Sequence, residues 1–238
     1  ADIAHTAGLV AWKVHNSPIE HAHFTTLSTY KTLRGPRSGI ILSGKEFNKK
    51  IGGKTLEEIA NKALFPGVQG SPNMSYIAAK AACFTESLEP WFREYAQKIV
   101  QNSRALAETL KREGYKVLTN GTDNHIVLLD VTPNGLTGKI AEEALEEVGI
   151  VCNKNLIPYD KKSPHVTSGV RFGTAFLTSR GITQEQIREI GSYIAKVWGG
   201  VNPISDKEYQ IDPAIKEKIR ENVLELAKQH PINLNYRG

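Results

Sequence analysis

Thr29-Tyr30-Lys31-Thr32-Leu33-Arg34-Gly35-Pro36-Arg37-Ser38-Gly39 sets one lysine between a run of small hydroxyl residues and a basic loop bounded by glycine and proline. The hydroxyl run begins upstream with Thr25, Thr26 and Ser28. Further upstream, Asp2-Ile3-Ala4-His5 reads as the polar end of an apolar segment, with an acid and an imidazole close in sequence. A lysine can condense with an aldehyde, and a carboxylate can hold a pyridinium proton. Lysine, acid and imidazole in this order point to a pyridoxal phosphate site, with the hydroxyls ringing the cofactor. Arg34 and Arg37, together with burial, are expected to favour the free amine of Lys31.

The bulk properties suit that chemistry. The chain has 238 residues, enough for one large domain or two small ones. Apolar residues make up 40% and charged residues 23%, the balance of a globular chain rather than a disordered one. No apolar run approaches the roughly 18 residues of a membrane span, so no membrane partner is expected. The net charge of +5 favours anionic small molecules. Lysine and arginine are dispersed without an aromatic-interleaved basic stripe, which argues against nucleic acid. Cys83 and Cys152 stand in apolar surroundings and read as reduced, packed thiols. His21 and His23 lack accompanying cysteines or carboxylates, so no metal site is expected there.

Along the chain, residues 8–14 read as a strand or strand-to-turn segment, and 22–28 and 39–43 as strands. Lys45 to Lys54 reads as a basic loop, followed by a short helix over 55–63 with a threonine cap. Phe65 to Asn73 is turn-rich. Met74 to about Arg112 is helical, closed by Gly114. Strands are expected at 115–118, 125–130, 149–153 and 170–174. Helices are expected at 138–148, 183–197 and 213–229, the last capped by Asp212 with Pro213 at its first position. Alternation would put Ser28 and Tyr30 on one face and Thr29 and Lys31 on the other, unless the strand bends.

The Asp-x-Ala-His segment and the lysine stretch together resemble the serine hydroxymethyltransferase family. Further matches follow in family order: Phe65-Pro66-Gly67-Val68-Gln69-Gly70, Gly121-Thr122-Asp123-Asn124-His125, Leu136-Thr137-Gly138-Lys139, Asn153-Lys154-Asn155 and Ser168-Gly169-Val170-Arg171-Phe172-Gly173-Thr174. The resemblance implies an α/β, fold-type-I pyridoxal-phosphate-dependent transferase like the aspartate aminotransferases. Residues 1–85 would end the large cofactor domain, and 86–238 would form the small C-terminal α+β domain. The implied activity is hydroxymethyl transfer between serine and glycine with tetrahydrofolate as one-carbon carrier, in a cytoplasmic homodimer.

By the same resemblance Lys31 carries the cofactor, Asp2 holds the ring nitrogen, and His5 lies near the cofactor oxygen or substrate hydroxyl. Ser28, Tyr30 and Arg37 join the cofactor set. Gly70 and Ser71 reach the cofactor phosphate of a neighbouring subunit. Arg171 grips the substrate carboxylate, and Asn155, Ser163, Pro164 and His165 meet the folate.

The chain departs from the family at several points: Tyr30 and Ser75 stand where it usually has histidine, Leu27 where it has threonine, Ser71 and Asn73 in a Gly-Gly-Pro-Leu turn, and Ala175 where it has proline. An imidazole titrates near neutral pH and a phenol does not, which bears on proton transfer. Two alternatives follow. One is a folate-independent aldolase or transaldolase on threonine-like β-hydroxy amino acids, suggested by Tyr30, Ser71, Asn73 and Ser75. The other is a non-catalytic half of a split enzyme, because the family's ring-stacking residue, phosphate ligands, glutamate and tyrosine precede the Asp-x-Ala-His motif. A separate chain would then supply them, and the apolar side of Leu9, Val10, Ile40 and Ile41 would be expected to lie exposed.

Overall fold

The computed structural model describes residues 1–232 and divides them into two compact units, with the boundary between Gln97 and Lys98. The boundary falls inside one long helix rather than at its start.

The first unit opens with a helix, α1 (Ala7–Ala11), where a strand or turn is expected. Leu9 and Val10 are buried on it, not exposed. Ala7, Gly8, Leu9 and Val10 are all buried, so this single turn of helix is covered on every side. Strands β1 (Phe24–Ser28) and β2 (Gly39–Ser43) form an antiparallel pair, with Phe24 opposite Ser43 and Ser28 opposite Gly39. The basic loop contains a small hairpin, β3 (Lys50–Ile51) and β4 (Lys54–Thr55), turned by Gly52 and Gly53 at positive φ. Thr55 then caps α2 (Leu56–Lys62), accepting from the Glu58 N–H while the Glu58 carboxylate accepts from the Thr55 N–H.

Helix α3 (Met74–Ser87) buries only Cys83 and Ser87. The exposed apolar side chains of this unit therefore lie mainly at Phe65, Val68, Met74, Ile77 and Leu88, with Ile41 on β2, rather than at Leu9 and Val10. Helix α4 (Pro90–Arg112) begins in this unit with Phe92 and Tyr95 buried, edge to face at 5.3 Å.

The second unit is built on a four-stranded antiparallel sheet. Its strands are β5 (Lys116–Val117), β6 (Ile126–Asp130), β7 (Asn153–Asn155) and β8 (Gly169–Gly173), in the order β5-β6-β8-β7. Between β6 and β7 lies α5 (Gly138–Glu146), so only the end of the expected 149–153 strand pairs. After β8 come a short helix α6 (Ala175–Ser179), helix α7 (Gln184–Gly199), a hairpin of β9 (Val201–Pro203) with β10 (Tyr209–Ile211), and helix α8 (Pro213–Gln229).

The core of this unit gathers Val127 and Leu129 of β6, Val170 and Phe172 of β8, Ile140 and Leu145 of α5, and Ile187, Ile194 and Trp198 of α7. Trp198 meets Tyr115 at 4.9 Å and donates its indole N–H to the Ala141 carbonyl at 3.0 Å, so the largest aromatic is also hydrogen-bonded. Arg171 lies between Val170 and Phe172, and the strand period turns it to the opposite face of the sheet.

Candidate active site

The lysine loop grows directly out of β1. The strand stops at Ser28, and the chain turns at once, with Arg34 N–H donating to the Lys31 carbonyl at 2.9 Å and Gly35 N–H to the Thr29 carbonyl at 2.7 Å. The expected two-face alternation through Lys31 therefore does not persist past Ser28. Arg34 takes a left-handed backbone (φ 60°), and Gly35 follows where a Cβ would lie 2.6 Å from Cys83 Sγ. The turn is thus tight and closely backed by α3.

Residues 1–8 run alongside this strand and are fastened to it by hydroxyls. Asp2 forms a single parallel bridge to Thr26, whose hydroxyl donates to Asp2 Oδ2 at 2.6 Å. Ser28 donates to the Ala4 carbonyl at 3.2 Å. Thr32 donates to the His5 carbonyl at 2.9 Å and accepts from the Gly8 N–H at 3.0 Å. Thr29 faces the other way and donates to the Pro36 carbonyl at 2.5 Å. The Ser28, Thr29 and Thr32 hydroxyls thus hold backbone, and the Thr26 hydroxyl holds the Asp2 carboxylate. Thr26 lies in the hydroxyl run and Thr32 in the lysine stretch, but the sequence singles out neither as a site residue. The signal for Thr26 is its two-residue spacing from Ser28, which sets both on the side of β1 facing Asp2 and Ala4.

The electrostatics suit an ionised acid beside a lysine. The Thr26 hydroxyl and then the Ala4 N–H hold the Asp2 carboxyl below its ordinary range, and the Lys31 charge adds to the effect. Lys31 Nζ sits 5.5 Å from the centre of the Tyr30 ring, and the Arg37 guanidinium 4.7 Å from it, so two cations share one exposed phenol. Arg34 turns instead to α4, over Trp91 at 5.5 Å and Tyr95 at 5.1 Å. A half-buried primary amine, an ionised carboxylate and a flanking guanidinium are a donor set that fits a cofactor with an aldehyde, a pyridine nitrogen and a phosphate.

Asp2, Ser28 and the His5 carbonyl are thus joined by hydrogen bonds to β1 and the turn after it, while Lys31 and Arg37 gather on the Tyr30 ring. Gly70 and Ser71 lie exposed in the loop between α2 and α3. Beside them, Asn73 caps α3: its Oδ1 accepts from Ser75 N–H at 3.2 Å and from the Ser75 hydroxyl at 2.6 Å. The departures at Asn73 and Ser75 therefore have a local structural role.

Arg171, Asn155 and Ser163-Pro164-His165 belong to the second unit. Arg171 and Asn153 are paired across β8 and β7, and the guanidinium donates to Asn153 Oδ1 at 3.2 Å. Asn155 donates to the Leu156 carbonyl at 2.7 Å. Ser163, Pro164 and His165 are exposed in a loop organised by Asp160. Burial pushes the Asp160 carboxyl up, but donation from the Ser168 hydroxyl and from the N–H groups of Lys162, Ser168 and Ile157 outweighs it and brings the value to about 2. A cavity of about 670 Å³ opens here, and it takes in Ser163, Tyr159 and Lys161 but not Asn155 or His165. Asp160 was not among the residues the sequence singled out, although Asp-x-Lys-Ser-Pro is a legible turn.

Among the described residues no cluster of histidine, cysteine and carboxylate could hold a metal, and no helix is long and apolar enough to cross a membrane. His23 instead meets Glu46 at 3.3 Å.

Comparison with known proteins bears on the whole arrangement. The family model described as serine hydroxymethyltransferase matches residues 1–194. A serine hydroxymethyltransferase of Afipia carboxidovorans is 47% identical over 97% of this chain and 51% of its own length. A probable serine hydroxymethyltransferase of Rickettsia bellii is 48% identical, over 97% of this chain and 52% of its own, and the Rickettsia akari protein is 46% identical over the same shares. The chain spans about half the length of the curated relatives it matches. Because the match runs through the lysine loop and the arginine strand alike, the chain belongs to the serine hydroxymethyltransferase family.

Proposed function

We propose that this chain serves a pyridoxal-phosphate-dependent hydroxymethyl transfer that interconverts serine and glycine, with tetrahydrofolate as the one-carbon carrier. The observation that carries the reading is the fastening of the Asp2 segment to the Lys31 strand, which keeps an ionised carboxylate and a primary amine in one locality. Bound pyridoxal phosphate would supply an electron sink for the bond broken at the substrate α-carbon. Lys31 would hold the cofactor covalently. Asp2 would keep a proton on the ring nitrogen, and His5 would stand near the reacting oxygens. Ser28, Tyr30 and Arg37 would complete the near side of the site.

Arg171 would bind the substrate carboxylate through its two-point fork, for which Asn153 sets one guanidinium nitrogen. Asn155 and the Ser163-Pro164-His165 turn would meet the folate. In this reading the first unit belongs to the large domain of a fold-type-I enzyme and the second is its small domain. A homodimer would bring Gly70 and Ser71 to a neighbouring subunit's phosphate, in a cytoplasmic enzyme.

Borohydride reduction of the protein after incubation with pyridoxal phosphate, followed by peptide mapping, should place the pyridoxyl group on Lys31. A label on Lys13 or Lys45 in its place would overturn the assignment. A folate-independent aldolase remains the second reading, and one observation favours it: Tyr30 sits between Lys31 and Arg37 at the position where the family carries an imidazole. Cleavage of a threonine-like substrate at one rate with and without tetrahydrofolate, and no serine turnover, would select it.

A further inference from the structure

We propose that Thr32 is a positioning residue that fixes the backbone of Lys31 against the segment bearing Asp2 and His5. The proposal rests on the reading of Lys31 and Asp2 as the cofactor pair. Thr32 is 1% exposed, and its hydroxyl both accepts from Gly8 N–H at 3.0 Å and donates to the His5 carbonyl at 2.9 Å. A hydroxyl fills both roles at once, and no apolar side chain of the same shape can. The contact is close on the backbone side as well. A Cβ on Gly8 would lie 2.4 Å from the Thr32 carbonyl oxygen, so α1 presses on the Thr32–Leu33 peptide, one residue past the lysine.

The other two fastenings, Thr26 to Asp2 and Ser28 to Ala4, lie on the strand before the turn. Thr32 alone among them lies beyond Lys31, so the lysine is pinned from both sides in sequence. On its far flank, Cys83 Sγ donates to the Leu33 carbonyl at 3.3 Å and backs Gly35. A lysine stem has four flexible bonds, and its reach is limited by where its Cα is held. Without the Thr32 hydroxyl, the Gly8 N–H and the His5 carbonyl lose a buried partner, and the turn carrying Lys31 is free to shift from the Asp2 segment. The charges of the site stay unchanged, so the effect should fall on geometry and rate of capture.

The test uses the protein as its gene encodes it, freed of cofactor and then mixed with pyridoxal phosphate. Condensation of the lysine amine with the aldehyde releases one water, and a borohydride quench at timed intervals reduces the C=N bond. Peptide mapping then reads the rate of capture at Lys31. Thr32→Val should slow capture at least about tenfold and spread the label to other lysines, at a lowered thermal midpoint. Thr32→Ser, which restores both hydrogen bonds, should stay within about twofold of wild type. If Thr32→Val does not fold, Thr32→Cys, a weaker donor of similar size, carries the same expectation of slowed capture. Capture by Thr32→Val, or by Thr32→Cys in its place, at the wild-type rate and confined to Lys31 overturns the positioning role, as does a Thr32→Ser variant as slow as the others. Wild-type protein that takes no label on Lys31 overturns instead the cofactor reading beneath it.

Discussion

Thr26 and Asp2 meet side chain to side chain at 2.6 Å across the one parallel bridge that joins the start of the chain to β1. The hydroxyl donates, so it favours the ionised carboxylate and holds the Asp2 carboxyl below 3.8. A depressed carboxyl contributes above its unfolded value and loses that contribution as pH falls through its folded one. Thr26→Val should therefore raise the Asp2 carboxyl toward 3.8, read by carbon NMR titration. An unmoved titration would assign the depression to Ala4 N–H and Lys31 instead.

Arg171→Lys should weaken glycine binding far more than cofactor binding. A lysine offers a point charge in place of a planar fork, and losing a charge-assisted two-point contact costs roughly 2–4 kcal/mol. Calorimetric titration with glycine measures it, and an affinity within about twofold of wild type would remove Arg171 from the substrate carboxylate.

Asp160 should contribute to stability only above the acid range. Its carboxyl is brought from 3.8 to about 2, so its contribution is complete above pH 4 and declines as pH falls toward 2. The shift corresponds to about 2 kcal/mol at most, and partial solvent access reduces this to about 1. Urea midpoints of wild type and Asp160→Asn should differ at pH 7, draw together as pH falls below 4, and converge only below the folded value of about 2. Equal midpoints at pH 7 would show that Ser168 and the loop amides gain nothing from the charge.

Gly138→Ala should destabilise the second unit. A Cβ there would stand 2.4 Å from the Gly169 carbonyl and 2.0 Å from the Thr167 hydroxyl, and a backbone oxygen inside a paired strand cannot yield cheaply. Overpacking of this kind costs about 1–3 kcal/mol. Thermal unfolding of the variant measures it, and an unchanged midpoint would mean that the start of α5 slides off β8 without loss.

Much of this was readable in the residues. The threonine cap of α2, the Asp212-Pro213 start of α8 and the strands β1, β2, β6 and β8 follow from local chemistry and short-range apolar patterns. Leu9 and Val10 misled, because a short apolar run buried on all sides has no period that separates one helical turn from a strand. The hairpin Lys50–Thr55 was hidden by its lysines, whose positions in so short a strand are decided by Gly52 and Gly53. Within the site, the lysine and the acid were legible as chemistry, whereas Thr32 was not. Its role depends on Gly8 and His5 folding back onto it from far away in sequence, and no spacing encodes that. The end of the strand at Ser28 was legible from the glycine- and proline-bounded loop that follows, whereas the closing bond from Gly35 N–H to the Thr29 carbonyl was not.

The fastening of residues 1–8 has an asymmetry that matters to anyone altering them. Ser28 and Thr32 grip main-chain carbonyls, of Ala4 and His5, which every amino acid possesses. Exchanging the imidazole of His5 therefore leaves its own anchorage in place, and a change in rate at that position reports on the imidazole itself. Asp2 is gripped by its carboxylate. Replacing it removes a charge and the Thr26 side-chain contact together, while the main-chain bonds of Ile3 N–H to the Thr26 carbonyl and of Thr26 N–H to the Ala1 carbonyl remain, so those two losses arrive as one number.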